Sequence, residues 1–497
     1  DANTIRIETR DSIRIKLTAI QGPKPEDNRW YKIAQSAARV AMMVRNVSVT
    51  YKNTYAMSIS GFRPEIGDML GQTKGASGFA PGLDFAFGMT GDSYINKALD
   101  NGWLVSDSVV SPATTNAQED LQIRMTLEPV RDLKIDLNAG RTRNKSNQIQ
   151  FMYEGMPQIQ SGNFNMTVIT IGSAFERRSA SNGYSSSSFN RFLGNLDIIK
   201  NRIENMYAGV PYQGQSGLNQ QPLYQVNKYS SDVMIPAFLA AYTGRSASNS
   251  ALDLFPGILS MMPNWRVTYS GLSKLEFFKK YFKSVTLNHA YRSTYSVGSY
   301  STFQNFHSYM GDWGFVDDIQ TGIPVPSSMY DVSAVSINEQ FSPLLGVDVT
   351  FKNGITTKVE YKTTRILNLS LAANQIVESS TKDFVLGMGY KIMGLELFPG
   401  RNKKDSKNKI SNDLALRMDV SFRNQSALAR DIQQVTTQAT SGNKALKISF
   451  SADYTLSRLL SVSFYHDRQK NTPLVSASSY PVTSADFGMR LKFSLTR

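Results

Sequence analysis

Chemistry in this chain would have to come from very few residues. Three histidines are present, His289, His307 and His466, and cysteine is absent, which excludes thiolate nucleophiles, thiolate metal sites and disulfides. His466-Asp467 is a neighbouring His–acid pair, but no G-x-S-x-G elbow accompanies it, and the histidines read as interface or lumen residues. Asp317-Asp318 offers carboxylates to a calcium ion without the D-x-D-x-D-G spacing that would hold one. The glycine-rich stretch 71–91 lacks a following Gly-Lys-Ser/Thr and does not join a strand to a helix, so it does not read as a phosphate cradle. These patterns give no catalytic, metal or cofactor site. What remains is charge at regular spacing: Lys134, Arg417, Lys447, Arg490 and Lys492 alternate with apolar neighbours. Such residues would wet one face of a strand, either for solubility alone or to steer what passes over it.

The elements that position them are long two-faced strands. Phe487, Met489, Leu491, Phe493 and Leu495 lie on one side of an extended chain, with Gly488, Arg490, Lys492 and Ser494 on the other. The same alternation appears at 121–128, 133–140, 414–423 and 446–455. Asn353-Gly354 reads as a type I′ hairpin turn between strands at 335–352 and 355–371. These run well past the ~10 residues that span a bilayer as a strand. The chain is 41% hydrophobic, 11% aromatic and 19% charged, with mean hydropathy −0.29. That excludes a polytopic helical membrane protein but suits a barrel, whose lumen residues dilute its lipid-facing ones. The expected fold is therefore all-β: a transmembrane antiparallel β-barrel of about 16 strands spanning 1–497, in the outer membrane.

Placing the last strand's end on the periplasmic side puts short turns there, near 456–458, 353–354, 129–130 and 52–53. Connections at 21–37, 62–119, 179–261, 303–332, 425–442 and 469–484 then fall outside, and all read as long, the usual asymmetry. Residues 62–119 form a Gly/Pro-rich loop insertion. Residues 179–261 form a second, with an amphipathic helix at 190–207 whose stripe is Phe192, Leu196, Ile199, Ile203 and Met206. That stripe is expected to pack on the loop's own core or inside the barrel. Val233 to Tyr242 is a further apolar piece, interrupted by Pro236. Trp265 and Tyr269 read as membrane-interface aromatics, and Trp103 and Trp313 as loop-core residues.

Net charge is +14 with pI about 9.5, but Lys and Arg are scattered along strands and turns, which argues against nucleic acid. The densest run, 401–409, reads as a solvated turn, with docking of an acidic partner as the lesser reading.

Beyond these patterns the text is idiosyncratic. Gly61-Phe62-Arg63-Pro64, Phe79-Ala80-Pro81-Gly82-Leu83-Asp84, Gly102-Trp103-Leu104, the stretch Asp232 to Gly244 around Pro236, and Pro263-Asn264-Trp265-Arg266 resemble the SprA/Sov family. Its members are outer-membrane translocons of the Bacteroidetes type IX secretion system, and the resemblance covers roughly 61–303. It implies a very large single-chain barrel that exports folded cargo bearing type IX C-terminal signals, including virulence factors, and that supports gliding. Implied partners are a shuttle protein, a plug protein, the cargo, and the lipid bilayer with its lipopolysaccharide. Family members are several times longer, so the chain is expected to be a C-terminal portion and its strands an arc of the wall. No enzymatic activity is expected, and energy would come from a partner complex. The alternatives are a passive porin or a ligand-gated outer-membrane importer, and then a barrel enzyme.

Overall fold

The computed structural model describes residues 33, 35 and 42–493, apart from 66, 76–77, 89, 92, 106–110, 152–157, 177, 211–224, 319–321, 396–411, 457–459 and 476–479. Its frame is one 14-stranded antiparallel sheet. In chain order its strands are β1 (Val44–Ser58), β4 (Ala113–Val130), β5 (Leu133–Ile149), β6 (Ile159–Thr167), β7 (Asn264–Tyr269), β8 (Phe282–Thr302), β12 (Tyr330–Val332), β13 (Ala334–Phe351), β14 (Ile355–Ser370), β15 (Gln375–Ile392), β16 (Leu414–Asp431), β17 (Thr437–Thr455), β18 (Leu460–Pro473) and β19 (Val482–Phe493). A hairpin of β2 (Thr73–Gly75) and β3 (Gly78–Ala80) lies apart, as does a small sheet of β9 (Phe306–Met310), β10 (Trp313–Asp317) and β11 (Pro324–Ser328). Among the described residues β1 and β19 do not pair with each other, so the sheet is an arc of wall.

Alternation builds this wall. Tyr361 pairs with Phe384 and Phe384 with Phe422, while Lys362 pairs with Asp383 and Asp383 with Arg423. Because side chains alternate along each strand, the register gathers the apolar rows at this level of the wall on one face and mostly polar rows on the other. On the apolar face Val47, Val49, Leu345, Phe384, Met388, Met418, Phe422, Leu446, Phe464, Met489 and Leu491 are all exposed. An aromatic row bounds this band above (Trp265, Tyr291, Phe341, then Tyr361, Phe384, Phe422). A second bounds it below, through Phe282 and Phe351, Tyr390, Tyr454 and Phe493. From Phe384 to Tyr390 is six residue steps, roughly 20 Å. A bare apolar band between aromatic rows, backed by a polar face, is the lipid-facing belt of a transmembrane β-barrel. No helix among the described residues is long and apolar enough to cross a membrane, which says nothing against strands.

Several expectations need correction. Among the described residues the wall has twelve strand positions against an expected total of about 16, since β6 and β7 share one line and β9–β11 form their own sheet. Lys52-Asn53 is not a turn; it lies inside β1, paired to Asp120 and Glu119 of β4, and inter-strand pairing overrides the local turn preference of Asn. The 62–119 loop ends sooner, since β4 begins at Ala113. The length asymmetry is not clean. Strands β14 and β15 are joined at the upper end by residues 371–374, and β16 and β17 by 432–436 inside the supposed long loop 425–442. The lower end, marked by the Asn353-Gly354 turn, also carries the long connection 393–413. Run 401–409 and most of connection 21–37 and of turn 456–458 lie outside the described residues.

The second insertion spans 168–263 rather than 179–261. It leaves the middle of the wall: β6 pairs with β5 residues 141–148, and β7 continues the same line against residues 133–138. Met262 N–H bonds the Thr167 carbonyl at 3.1 Å, closing the break. Within the 62–104 segment, helix α1 (Ser93–Asp100) packs Tyr94 and Ala98 against Trp103. The large insertion carries α2 (Ser187–Met206) and α3 (Ser231–Thr243), and α4 (Glu276–Tyr281) joins β7 to β8 at the lower end.

Candidate functional site

Lys134, Arg417, Lys447, Arg490 and Lys492 all fall on the polar face, opposite the belt. They do not stand alone there. Lys134 pairs with Asp136 at 3.1 Å, Arg423 holds Asp383 through two contacts of 2.8 and 3.2 Å, and Glu360 bridges Lys358 and Lys362 at 2.9 and 2.8 Å. Arg417 and Arg490 line a hollow of about 410 Å³ with Asp419, Asp453 and Asp467. The five cations thus stand in a face of mixed sign. Exposed pairs of this kind each contribute only ~0.2–1 kcal/mol, so they hydrate the surface more than they hold it together.

Trp265 and Tyr269 lie on the apolar face, where Trp265 stacks on Tyr291 with centroids 4.5 Å apart. His289 is on that face too, its Nδ1 2.6 Å from the Leu344 carbonyl, and His307 Nε2 meets Asp317 at 3.1 Å. Among the described residues no group of three His, Asp or Glu is placed to hold a metal.

Of Gly61, Phe62, Pro64, Pro81, Gly82 and Trp103, Trp103 and Phe62 belong to the small core around α1, and backbone hydrogen bonds place Gly61, Pro81 and Gly82 beside it. Phe62 bridges Leu104 and meets the Trp103 ring edge-on at 6.2 Å. Tyr94 Oη donates to the Pro81 carbonyl at 2.6 Å. Gly82 adopts φ 96°, a conformation that favours glycine, and its N–H and carbonyl both bond the Gln72 side chain.

The α2 stripe does pack on the insertion's own core: Phe192, Leu196, Ile199 and Ile203 are buried with Val233, Phe238 and Tyr242 of α3. That core continues onto Phe164, Met166, Tyr295, Val297, Val335, Ile337, Leu367 and Ile376, which share the apolar face by register. The insertion therefore covers the outward face above the belt. Pro236 is buried within α3. One turn before it, Asp232 accepts from Ser327 Oγ, Ser328 N–H and Ser328 Oγ at 3.0, 2.9 and 2.5 Å, tying α3 to β11. Burial raises the Asp232 carboxyl above its ordinary range despite these donors.

Under the insertion lies a charged lock that the sequence reading missed. Arg365 and Glu339 pair at 2.7 Å on β14 and β13, and Arg430 on β16 meets Glu378 on β15 at 3.2 Å. All four are 4% exposed or less. From the insertion, Arg178 reaches Glu378 at 2.9 Å, the Ser173 carbonyl accepts from Arg365 at 2.6 Å, and the Tyr184 carbonyl accepts from Arg430 at 2.8 Å. Thr170 Oγ1 and Tyr291 Oη donate to Glu339. Nearby, partial burial pushes the Glu176 carboxyl up, but hydrogen bonds from Ser186, Ser188 and Ser187 outweigh it and hold the group at about 2. A signal was available: Glu339, Arg365, Glu378 and Arg430 occupy apolar parity in their strands, a place where a charge needs a partner.

No family model matches this chain, and no curated relative does. Solved structures with overlapping folds include trimeric OmpT, an outer membrane protein of Vibrio cholerae, at 7% identity and TM-score 0.21, covering 90% of this chain and 99% of that one. An anion-selective porin from Comamonas acidovorans overlaps at 8% identity and TM-score 0.10, covering 90% and 98%. Overlaps this distant carry no argument, and the fold rests on the sheet and its two faces.

Proposed function

We propose that this chain forms part of the wall of a large outer-membrane pore, and that the pore is a protein-conducting translocon of the SprA/Sov kind, exporting folded type IX cargo in a Bacteroidetes cell. The observation that carries the pore reading is the separation of faces: a predominantly polar face, mixed in sign, backs an exposed apolar belt. A passing protein meets side chains that are already hydrated and paired, so it is bound weakly along the whole path. The translocon reading rests on the sequence resemblance over 61–303, and the arc of twelve strand positions suits a wall completed by further strands. Shuttle and plug proteins, signal-bearing cargo, and the bilayer with its lipopolysaccharide are the partners this reading implies; nucleic acid is not among them, and no catalysis by the wall is required.

Depletion in the native host, with quantitative proteomics of periplasm and medium, tests it. Periplasmic accumulation of proteins bearing the type IX C-terminal signal, with other export intact, is the expected result. A change confined to small-solute uptake would replace the translocon by a porin or importer.

A further inference from the structure

The belt does not stop where the insertion begins. At the break between β6 and β7, directly above Trp265 and Tyr291, a groove of about 270 Å³ opens between the wall and α3. Its walls are Met166, Val168, Leu239 and Met262, with Arg245 and Asp253 as its charged lining residues. Beside it the chain presents Ile258 and Leu259, the latter 98% exposed. Met262 is itself partly exposed, and Arg245 holds this segment by donating to the Ser260 carbonyl at 3.2 Å. A nearly bare leucine next to an apolar slot is costly in water. Both features sit at the upper aromatic row, where headgroups meet acyl chains.

We propose that this groove is a lipid-binding site that takes one acyl chain of a phosphate-bearing outer-leaflet lipid, with Ile258 and Leu259 dipping into the same leaflet. The chain would run from the belt up into the slot past Met262. Arg245 donates to the phosphate, and Asp253 suits an ammonium on the same headgroup. A lipid is the fitting occupant because the groove continues the lipid-facing surface and has only two charges, of opposite sign. The bound lipid wedges the insertion's lower edge against the wall, so the site joins membrane to insertion. The proposal rests on the outward face being lipid-facing, and the test separates the two ideas.

The full chain is purified from host membranes in mild detergent, and retained lipid is counted by native mass spectrometry. Retention of one phosphate-bearing lipid per chain is expected. Leu239→Trp fills the slot; displacing two methylenes is already worth roughly tenfold in retention. Arg245→Gln leaves the slot open and lowers retention about threefold, as suits one exposed ionic contact, and it decides the matter if Leu239→Trp fails to fold. In parallel, Trp265 fluorescence is read in nanodiscs of acyl-brominated phosphatidylethanolamine, as the difference from Trp265→Phe. Quenching with retention unmoved by both variants overturns the groove site while the belt stands. Absence of quenching overturns the belt reading itself. Detergent alone, or a peptide, as the retained mass overturns the lipid assignment.

Discussion

The outward face of β13–β16 is two surfaces on one set of strands. Below the row Tyr361, Phe384 and Phe422 it is bare and apolar, with Met388 and Met418 exposed. Above that row, at the same parity, it carries Glu339, Arg365, Glu378 and Arg430, all buried. The backbone and the alternation do not change between the halves; the surroundings do. Lipid offers no partner to a charge, so the lower half has none. The insertion offers hydroxyls, carbonyls and Arg178, so the upper half can bury four charges and use them to fix where the insertion lies.

The sharpest way to break this comparison is to remove a shared partner in the upper half. Glu378→Ala removes the carboxylate that Arg178 and Arg430 share, leaving Arg178 with Glu176 at 3.8 Å and the buried Arg430 with hydroxyl and carbonyl partners, and is expected to destabilise the fold by roughly 3–5 kcal/mol. Freed α2 should appear as early proteolytic cleavage within 168–263. Wild-type resistance there would mean that the apolar core alone holds the insertion.

Placing a charge in the lower half is the converse. Met388→Arg, facing mid-belt, should cost about 2–4 kcal/mol in urea titrations of folding into vesicles. A neutral result would show that this half does not face lipid.

A smaller effect concerns the insertion's own anchoring. Glu176 is held at about 2, below its ordinary 4.5, so its stabilisation is present above pH ~4.5 and is lost as pH falls toward 2. Hydrogen exchange at the start of α2 should rise over that window, and Glu176→Gln should flatten the rise. A pH response unchanged by the substitution would assign it to other carboxylates.

The smallest effect is on the polar face. Lys447→Gln and Lys492→Gln should change stability by no more than about 0.5 kcal/mol, yet move the ion preference of leak current toward anion exclusion. Unchanged preference would sink the assignment of that face to a lumen.

Much of the wall was legible because each strand states its own alternation. Strands read at 335–352 and 355–371 are found at Ala334–Phe351 and Ile355–Ser370, joined by Gly354 at φ 88°. The helix read at 190–207 is Ser187–Met206, capped by the Ser186 side chain. The failures were non-local. Nothing beside Lys52-Asn53 announces that β4 will pair across it, and nothing in 168–263 says that its two ends meet at one point of the wall. The charged lock was half legible: four ionisable residues at apolar parity signal a need for partners without naming them.

By itself, the sequence determined that this protein is a sheet with one oily face and one wet face, because side-chain alternation is a property of each strand and needs no neighbour. It also determined which residues lie on which face, including Lys134, Arg417, Lys447, Arg490, Lys492, Trp265 and Tyr269. Only the tertiary structure decided how far up the oily face lipid extends and where protein takes over. That boundary is set by a segment returning from nearly a hundred residues away in the chain to pair its charges and bury its helices, and no local pattern encodes the place where it lands.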